Sequence, residues 1–279
     1  MTLYISDMDG TLLQPSGTVS DYSAKILSDL ISQGLHFTVA TARTPLSALP
    51  LLRDIPIRDP MILMNGALCY DPRTKQFSNS VPIEKESLKT LAKAEYVSRI
   101  EGMLFSIENG RFSVSLGKVK SCMWDRYFDL EKVAYVEAIE QNIRSASAAD
   151  LLNADVVYGL YMDNEPTRLD VLYEQLKDSG LTVDYYKDKY TENRWCIEIC
   201  SKSATKGNAL MTLKRQGYTR LIGFGDSWND RPLFEACDKA YAVANASEDL
   251  KQLATVVIPS NAENGVANQI RQQWLSKGY

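Results

Sequence analysis

Two aspartates near the start of the sequence, Asp7 and Asp9, are separated by one residue and followed by Gly10 and Thr11. The apolar run before them is typical of a buried strand that ends in charged side chains. Carboxylates this close repel one another, and a divalent cation between them or a proton on one of them relieves the repulsion. Asp-Gly is also a common turn dipeptide, so the pair could equally well end a simple turn. The choice between these interpretations depends on the rest of the chain.

A second acidic cluster, Asp226 and Asp230 with Asn229 between them, also follows an apolar run and leads into a predicted helix. One interpretation is structural, because Ser227 could cap that helix while Asp230 reaches back to it. Two acidic strand ends in one sheet instead indicate a shared ligand site, since open α/β sheets bind ligands at the carboxyl ends of their strands. The two clusters together favour the second interpretation.

Lys206 and Thr41 could bring positive charge and a hydroxyl donor to the same edge of the sheet. Lys206 lies in the first turn of a predicted helix, where its charge opposes the helix dipole at a cost of about 0.3–1 kcal/mol. A solvated lysine is the ordinary explanation of any single Lys. Beside Asp7, Asp9 and Asp226, however, it indicates a charge placed for an anionic ligand.

The composition excludes several classes of function. The 279 residues are 45% hydrophobic and 24% charged with a net charge of −4, which is ordinary for a globular protein and lacks the basic surface that nucleic-acid binding needs. The single histidine, His36, has no obvious partners for a Ser-His-Asp triad, and one histidine cannot form a multi-histidine zinc centre. A metal in this protein is therefore expected to be a hard cation held by oxygen atoms, which points to Mg²⁺.

The chain shows no signal-peptide pattern, no apolar run long enough to span a membrane and no metal-like spacing among its five cysteines. We therefore expect a cytoplasmic protein with reduced thiols and without membrane association. No obligate protein partner is predicted.

The elements that would carry these residues alternate between strands and helices at the start of the chain. Apolar periodicity predicts a helix from Ala24 to Ser32 with Ser20 as its N-cap, a strand over 35–41 and a strand from Met61 to Met64. Strands joined by helices in this way are parallel, with right-handed crossovers. We therefore predict an α/β fold with a doubly wound, mostly parallel sheet.

The pattern changes from about residue 82. A predicted helix over 84–99 is followed by two alternating runs, 104–108 and 111–115, around Asn109-Gly110, which is a strong hairpin signal. Antiparallel pairing of this kind is not predicted for the preceding residues. The further predicted elements are helical segments over much of 120–152, a strand near 155–162, a helix near 166–178 and strands near 181–186 and 195–199.

The α/β pattern returns near residue 200, with a helix from Lys206 and strands at 220–224, 239–243 and 255–258. We therefore predict two domains. The core comprises 1–81 and 200–279, and an α+β domain over 82–199 is inserted into it.

These residues resemble the motifs of the haloacid dehalogenase superfamily of hydrolases. Its first motif, D-x-D-G-T, is matched by Asp7-Met8-Asp9-Gly10-Thr11, and its fourth, G-D-x-x-N-D, by Gly225-Asp226-Ser227-Trp228-Asn229-Asp230. Thr41 and Lys206 match the second and third motifs. The resemblance implies a Rossmann-like core of the haloacid dehalogenase type.

The inserted α+β domain is similar to the type C2B cap of the Cof-like sugar-phosphate phosphatases. Three further segments resemble loops of that subfamily: Asn65-Gly66-Ala67, Asn245-Ala246 and Asn264-Gly265-Val266-Ala267. One departure is Ala42, where Cof-like members usually have glycine, and the added methyl group could tighten a phosphate pocket without removing the backbone donor.

The resemblance implies a role for each matched residue. Asp7 is expected to attack phosphorus and form an aspartyl-phosphate, while Asp9 acts first as the acid and then as the base. Mg²⁺ is expected on the carboxylates of Asp7 and Asp226 and the backbone carbonyl of Asp9. Asp230 is expected to orient Lys206 or a metal-bound water. The expected phosphate-binding residues are Met8, Thr41, Ala42, Lys206 and Asn229, whereas the roles of Arg43 and Asn65 stay open.

The resemblance implies a Mg²⁺-dependent phosphatase that acts on small phosphorylated metabolites, and sugar phosphates are the substrate class we expect first. A phosphomutase or phosphotransferase of the same fold is an alternative, and it would have to rebind the dephosphorylated product. A non-catalytic phosphate-binding or signalling protein is a further alternative, although every expected catalytic side chain is present. None of the motifs identifies the substrate.

Overall fold

The described part of the chain combines β-strands and α-helices. The computed structural model describes residues 1–108, 110–117, 143–188, 191–215 and 217–276. The strands in chain order are β1 (Thr2–Ser6), β2 (His36–Val39), β3 (Met61–Leu63), β4 (Leu68–Asp71), β5 (Gln76–Ser78), β6 (Met103–Glu108), β7 (Arg111–Leu116), β8 (Ile143–Ser145), β9 (Val156–Asp163), β10 (Leu181–Lys187), β11 (Trp195–Ser201), β12 (Arg220–Gly225), β13 (Lys239–Val243) and β14 (Val256–Ile258). The helices are α1 (Asp21–Ser32), α2 (Pro45–Ala48), α3 (Lys85–Ser98), α4 (Thr167–Leu176), α5 (Lys206–Lys214), α6 (Arg231–Ala236), α7 (Glu248–Leu253) and α8 (Gly265–Ser276).

The chain divides into two compact units. The first unit comprises Met1–Asn79 and Thr205–Tyr279, and the second comprises Ser80–Ala204. The predicted boundaries at 82 and 199 lie within a few residues of this division. The role of the second unit as a cap stays a prediction.

The first unit is built on a parallel sheet with the strand order β14-β13-β12-β1-β2. Strand β1 is central, since it pairs in parallel with both β12 and β2. Its residues Leu3, Tyr4 and Ile5 are almost completely buried, as expected for a strand covered on both faces. The predicted α/β fold with a parallel sheet is confirmed, and the strand order places the carboxyl ends of β1, β2 and β12 side by side.

Strand β3 departs from the predicted pattern. It touches the parallel sheet through a single bridge, Ala40 to Ile62, and pairs antiparallel with β4, which pairs antiparallel with β5. Antiparallel pairing therefore begins before residue 80, contrary to the sequence prediction. The cause is a tight reversal after β3, where Met64, Asn65 and Gly66 all have positive φ angles of 52°, 55° and 97°.

The predicted start of α1 is confirmed, because the Ser20 hydroxyl accepts a hydrogen bond from the Ser23 backbone N–H at 3.0 Å. Helix α1 buries Leu27, Leu30 and Ile31 and packs against α8. Among the described residues, no helix has both the length and the apolar character needed to cross a membrane.

His36 does have partners, which the sequence did not reveal. Its Nδ1 lies 2.9 Å from Oδ1 of the buried Asp59, and the Tyr218 hydroxyl donates to the same oxygen at 2.6 Å. The Phe37 backbone N–H donates to the other oxygen at 3.0 Å. This cluster lies at the amino end of β2, so it ties the strand to its neighbours at the edge opposite the acidic residues.

The second unit contains a sheet with the order β10-β11-β9-β6-β7-β8. Its β6–β7 hairpin confirms the predicted antiparallel pairing, although Asn109 of the turn lies outside the described residues. Helices α3 and α4 pack with the sheet around a core that includes Leu91, Leu172 and Ile197. Most of the helical region predicted over 120–152 also lies outside the described residues.

Candidate active site

The predicted acidic strand ends meet at one edge of the parallel sheet. The Asp7 backbone N–H donates to the Phe224 carbonyl at 2.9 Å and so continues the pairing of β1 with β12. Asp226 directly follows β12, and Thr41 follows β2 with its N–H bonded to the Ile62 carbonyl at 3.0 Å. Three distant parts of the sequence therefore reach the same edge.

The turn after β1 fits closely against Asp226. Gly10 has a φ of +79°, and a Cβ atom at this position would lie 2.4 Å from Oδ2 of Asp226. The Thr11 hydroxyl donates to Oδ1 of Asp226 at 3.0 Å. Glycine is required here because both the positive φ and the close contact exclude a side chain.

Lys206 joins two carboxylates at the start of α5. The Thr205 hydroxyl caps this helix by accepting the Asn208 N–H at 3.1 Å. The Lys206 ammonium, whose side chain is only 1% exposed, donates to Oδ1 of Asp7 and to Oδ1 of Asp230, both at 2.6 Å. Burial opposes the charged lysine, but the carboxylates of Asp230 and Asp7 outweigh it and raise the pKa of Lys206.

Asp230 supports the start of a helix and also orients Lys206. Its Oδ1 accepts from Lys206, and its Oδ2 accepts the backbone N–H groups of Asp226 at 3.0 Å and Ser227 at 3.2 Å. The same carboxylate therefore completes the helix start and holds Lys206 in place.

Three of the carboxylates could hold a cation. Ligand oxygens of Asp7, Asp226 and Asp230 all lie within 4.8 Å of one another, and all three residues are buried. Burial raises the pKa of Asp7 well above its usual value, and the negative charge of Asp230 adds to this effect while Lys206 opposes it. A single ammonium does not balance three carboxylates, so the donor set suits a hard divalent cation.

The Asp9 carboxylate is bound differently from that of Asp7. Arg43 grips it with two hydrogen bonds, from Nε to Oδ2 and from Nη2 to Oδ1, each 2.7 Å long. The sequence left the role of Arg43 open, because Arg43 and Asp9 lie on different loops and no periodicity relates them. This ion pair is the main feature of the site that sequence reasoning missed.

The remaining predicted phosphate-binding residues occupy varied environments. The Met8 side chain is completely buried, so only its backbone is suited to a ligand, and Ala42 is half-buried. The Thr41 hydroxyl accepts the Arg43 backbone N–H at 3.1 Å. Asn229 is exposed, and its amide oxygen accepts from the Ser227 hydroxyl at 2.7 Å.

Two asparagines hold loops of the first unit in place, a role that the sequence did not indicate. The Asn245 amide donates to the Gly10 carbonyl at 2.7 Å. Oδ1 of Asn264, in a residue with a φ of +57°, accepts from the hydroxyls of Ser20 at 2.6 Å and Ser23 at 3.1 Å. Among the described residues, the buried Oδ1 of Asn65 has no hydrogen-bond partner.

Comparisons with known proteins agree with this geometry. A family model described as haloacid dehalogenase-like hydrolase matches residues 4–270. Phosphatase YwpJ of Bacillus subtilis is 26% identical over 97% of this chain and 99% of its own length. YwtE of the same bacterium, a 5-amino-6-(5-phospho-D-ribitylamino)uracil phosphatase, is 24% identical over 95% of this chain and 96% of its own. A haloacid dehalogenase-like hydrolase from Bacteroides thetaiotaomicron has the same fold, with a TM-score of 0.72, 18% identity and coverage of 98% and 99%.

Proposed function

The chain belongs to the haloacid dehalogenase-like hydrolases and is a phosphatase. We propose that it hydrolyses small phosphorylated metabolites, with sugar phosphates as the preferred substrate class and Mg²⁺ as the cofactor. The observation that carries the proposal is the buried cluster of Asp7, Asp226 and Asp230, together with Lys206, which binds Asp7 and Asp230. It combines a nucleophile, a cation site and a positive charge for a phosphate. The YwtE relative, which acts on a phosphorylated ribityl chain, supports this substrate class.

Mg²⁺ would be held by the carboxylates of Asp7 and Asp226 and by the backbone carbonyl of Asp9. The support is the close, buried set of carboxylate oxygens, which needs positive charge beyond that of Lys206. When bound, the cation supplies charge that offsets the repulsion between an anionic nucleophile and an anionic substrate.

The reaction proceeds through two displacements at phosphorus. The Asp7 carboxylate attacks, a bond forms between its oxygen and phosphorus, and the bond to the leaving oxygen breaks as Asp9 donates its proton to that oxygen. In the second step a water molecule gives a proton to Asp9 while the water oxygen bonds to phosphorus. The bond between the Asp7 oxygen and phosphorus breaks, which regenerates the carboxylate and releases inorganic phosphate.

The remaining residues bind and orient the phosphoryl group. Lys206 lies beside the nucleophile and neutralises charge on the phosphoryl oxygens, and Asp230 holds it there. Thr41, Asn229 and the backbone of Met8 and Ala42 supply further donors. The proposed role of the second unit is that of a cap domain, the part that excludes bulk water during phosphoryl transfer in enzymes of this kind.

The test uses Asp7→Asn, which keeps the shape of the side chain but removes its negative charge. We expect Mg²⁺-dependent phosphate release from an aryl phosphate to fall to the uncatalysed background, with an unchanged circular dichroism spectrum. The matched control is Asp29→Asn, an exposed aspartate of the same unit, which should retain full turnover. Retained turnover in the Asp7 variant would remove the nucleophile assignment.

A panel of phosphorylated metabolites then addresses the substrate. Release of inorganic phosphate from sugar phosphates, abolished by a chelator and restored by Mg²⁺, is the expected result. Conversion of a hexose 1-phosphate into the 6-phosphate without phosphate release would show a mutase instead.

A further inference from the structure

We propose that Arg43 is a positioning residue that fixes the Asp9 carboxylate for both proton transfers, an inference that rests on the proposed function. The guanidinium contributes Nε and Nη2 to the two oxygens of Asp9, each over 2.7 Å. Such a planar fork matches a carboxylate in distance and in plane, so it sets the orientation of the carboxylate as well as its position.

Arg43 is itself held on several sides. Its backbone N–H donates to the Thr41 hydroxyl at 3.1 Å, and its carbonyl accepts the Met64 N–H at 3.1 Å. Its Nη1 donates to the Ser47 carbonyl at 3.5 Å. The guanidinium is thus connected to the loop after β2 and to α2, and its geometry is organised before substrate arrives.

Asp9 needs this support because its side chain is more exposed to solvent than that of Asp7. Its side chain is 30% exposed, whereas that of Asp7 is 6% exposed and bonded to Lys206. A partly exposed carboxylate samples several rotamers, and a misplacement of about 1 Å can cost about 100-fold in rate. The bonds to Arg43 select one rotamer.

The grip still leaves Asp9 able to exchange a proton. Each carboxylate oxygen has two lone pairs, so accepting one bond from Arg43 does not by itself prevent an oxygen of Asp9 from binding a proton. One oxygen of Asp9 carries the proton that goes to the leaving oxygen as the bond from phosphorus to that oxygen breaks. It takes a proton back from the attacking water as the bond between Asp7 and phosphorus breaks.

The choice of leaving group distinguishes two roles of Arg43, the positioning of Asp9 and direct binding of the phosphate. p-Nitrophenolate departs without a proton, so the first step with p-nitrophenyl phosphate does not need Asp9, whereas the second step always does. An enzyme with a misplaced Asp9 should therefore accumulate the aspartyl-phosphate. An alkyl phosphate needs the proton in the first step as well, so no intermediate should accumulate from it.

The experiment compares Arg43→Met and Arg43→Lys with the wild type in rapid-mixing and steady-state assays containing Mg²⁺. For both variants we expect a burst of about one p-nitrophenolate per enzyme and a kcat lowered by roughly 100-fold or more. KM should fall in proportion, so that kcat/KM for p-nitrophenyl phosphate stays near the wild-type value, because only the second step is slowed. Lysine should not rescue the rate, because its point charge lacks the planar fork. In Arg43→Ala, added guanidinium ion should restore part of kcat, a result that a purely structural role would not give.

The control is Arg53→Met, which removes an exposed arginine of the same unit and should behave as the wild type. A raised KM with no burst and equal losses for aryl and alkyl phosphates would show that Arg43 binds the substrate directly, and would overturn the proposal. An unchanged kcat in Arg43→Met would overturn it as well. Failure of the proposed function itself is seen separately, because the wild type would then show no Mg²⁺-dependent turnover or Asp7→Asn would retain it.

Discussion

Nζ of Lys206 lies 2.6 Å from Oδ1 of Asp7, although the two residues are 199 positions apart in the sequence. The same ammonium is shared with Asp230, and all three side chains are almost completely buried. Charges removed from water in this way depend on one another, because each is stabilised chiefly by its partners. The cluster is therefore a structural element of the core as well as the centre of the proposed reaction.

Replacing Lys206 by methionine should destabilise the fold. Asp7 and Asp230 would be left buried without their cation, and removal of one partner from such a cluster costs about 3–5 kcal/mol in the free energy of unfolding. Urea unfolding in the absence of divalent ions measures this loss. Lys202→Met, at an exposed position in the chain, should change stability by less than about 0.5 kcal/mol. A similarly small effect at Lys206 would contradict the picture of an interdependent cluster.

The close contact between Gly66 and Thr205 should also affect the stability of the fold. A Cβ atom on Gly66 would lie 2.2 Å from the Thr205 carbonyl oxygen, whereas one on Gly34 would meet nothing within 4 Å, and both residues have similar positive φ angles. Gly34→Ala should cost about 1 kcal/mol from backbone strain alone. Gly66→Ala should cost about 2 kcal/mol more, because it also pushes against the residue before Lys206. Equal costs in thermal or urea unfolding would show that the contact relaxes freely.

The stability of the second unit should fall as the pH rises through neutrality. Burial raises the pKa of Glu95 from 4.5 to about 7, against hydrogen bonds from the Tyr161 hydroxyl and the Ala148 N–H. The folded state therefore binds this proton more tightly than the unfolded state. Its stabilising effect is fully present below pH 4.5 and is lost as the pH rises through about 7, a change of about 3 kcal/mol.

Urea unfolding of Glu95→Gln between pH 5 and pH 8 tests this assignment. The variant should lose most of the decline in stability that the wild type shows. The exposed Glu165 offers the matched substitution, and Glu165→Gln should keep the wild-type profile. Parallel profiles for the wild type and Glu95→Gln would exclude Glu95 as the source of the pH dependence.

Asn245→Ala should lower the affinity for Mg²⁺ with little effect on stability. The exposed Asn245 supports the turn after β1 through the Gly10 carbonyl, and residues that support metal ligands typically contribute 10- to 100-fold to metal affinity or activity. A Mg²⁺ titration of phosphate release should show a higher half-saturating concentration. An unaltered titration would mean that the turn keeps its shape without this bond.

Much of the site follows from the sequence because it depends on strand ends. Apolar runs locate β1, β2 and β12, and parallel pairing then brings Asp7, Thr41 and Asp226 to one edge. Helix-start signals likewise place Lys206. These inferences need only the hydrophobic periodicity of each strand or helix and the parallel direction of the neighbouring strands.

Features that depend on side-chain rotamers or on loop conformation could not be derived in this way. The bond between Arg43 and Asp9 joins two loops, and the bond between Asn245 and Gly10 spans 235 positions. The short strands β4 and β5 were missed because positive φ angles at Met64 and Asn65 reverse the chain directly after β3, and the sequence pattern did not indicate this reversal.

The central position of β1 also determines when the protein can fold during translation. Thr2 pairs with Arg220, so β1 cannot pair with β12 until most of the chain has been synthesised. At about 5–20 residues per second, the wait is roughly 10 to 40 s. The contiguous stretch Ser80–Ala204 leaves the ribosome within that interval, so it can become compact first, while the apolar first strand remains exposed to chaperones.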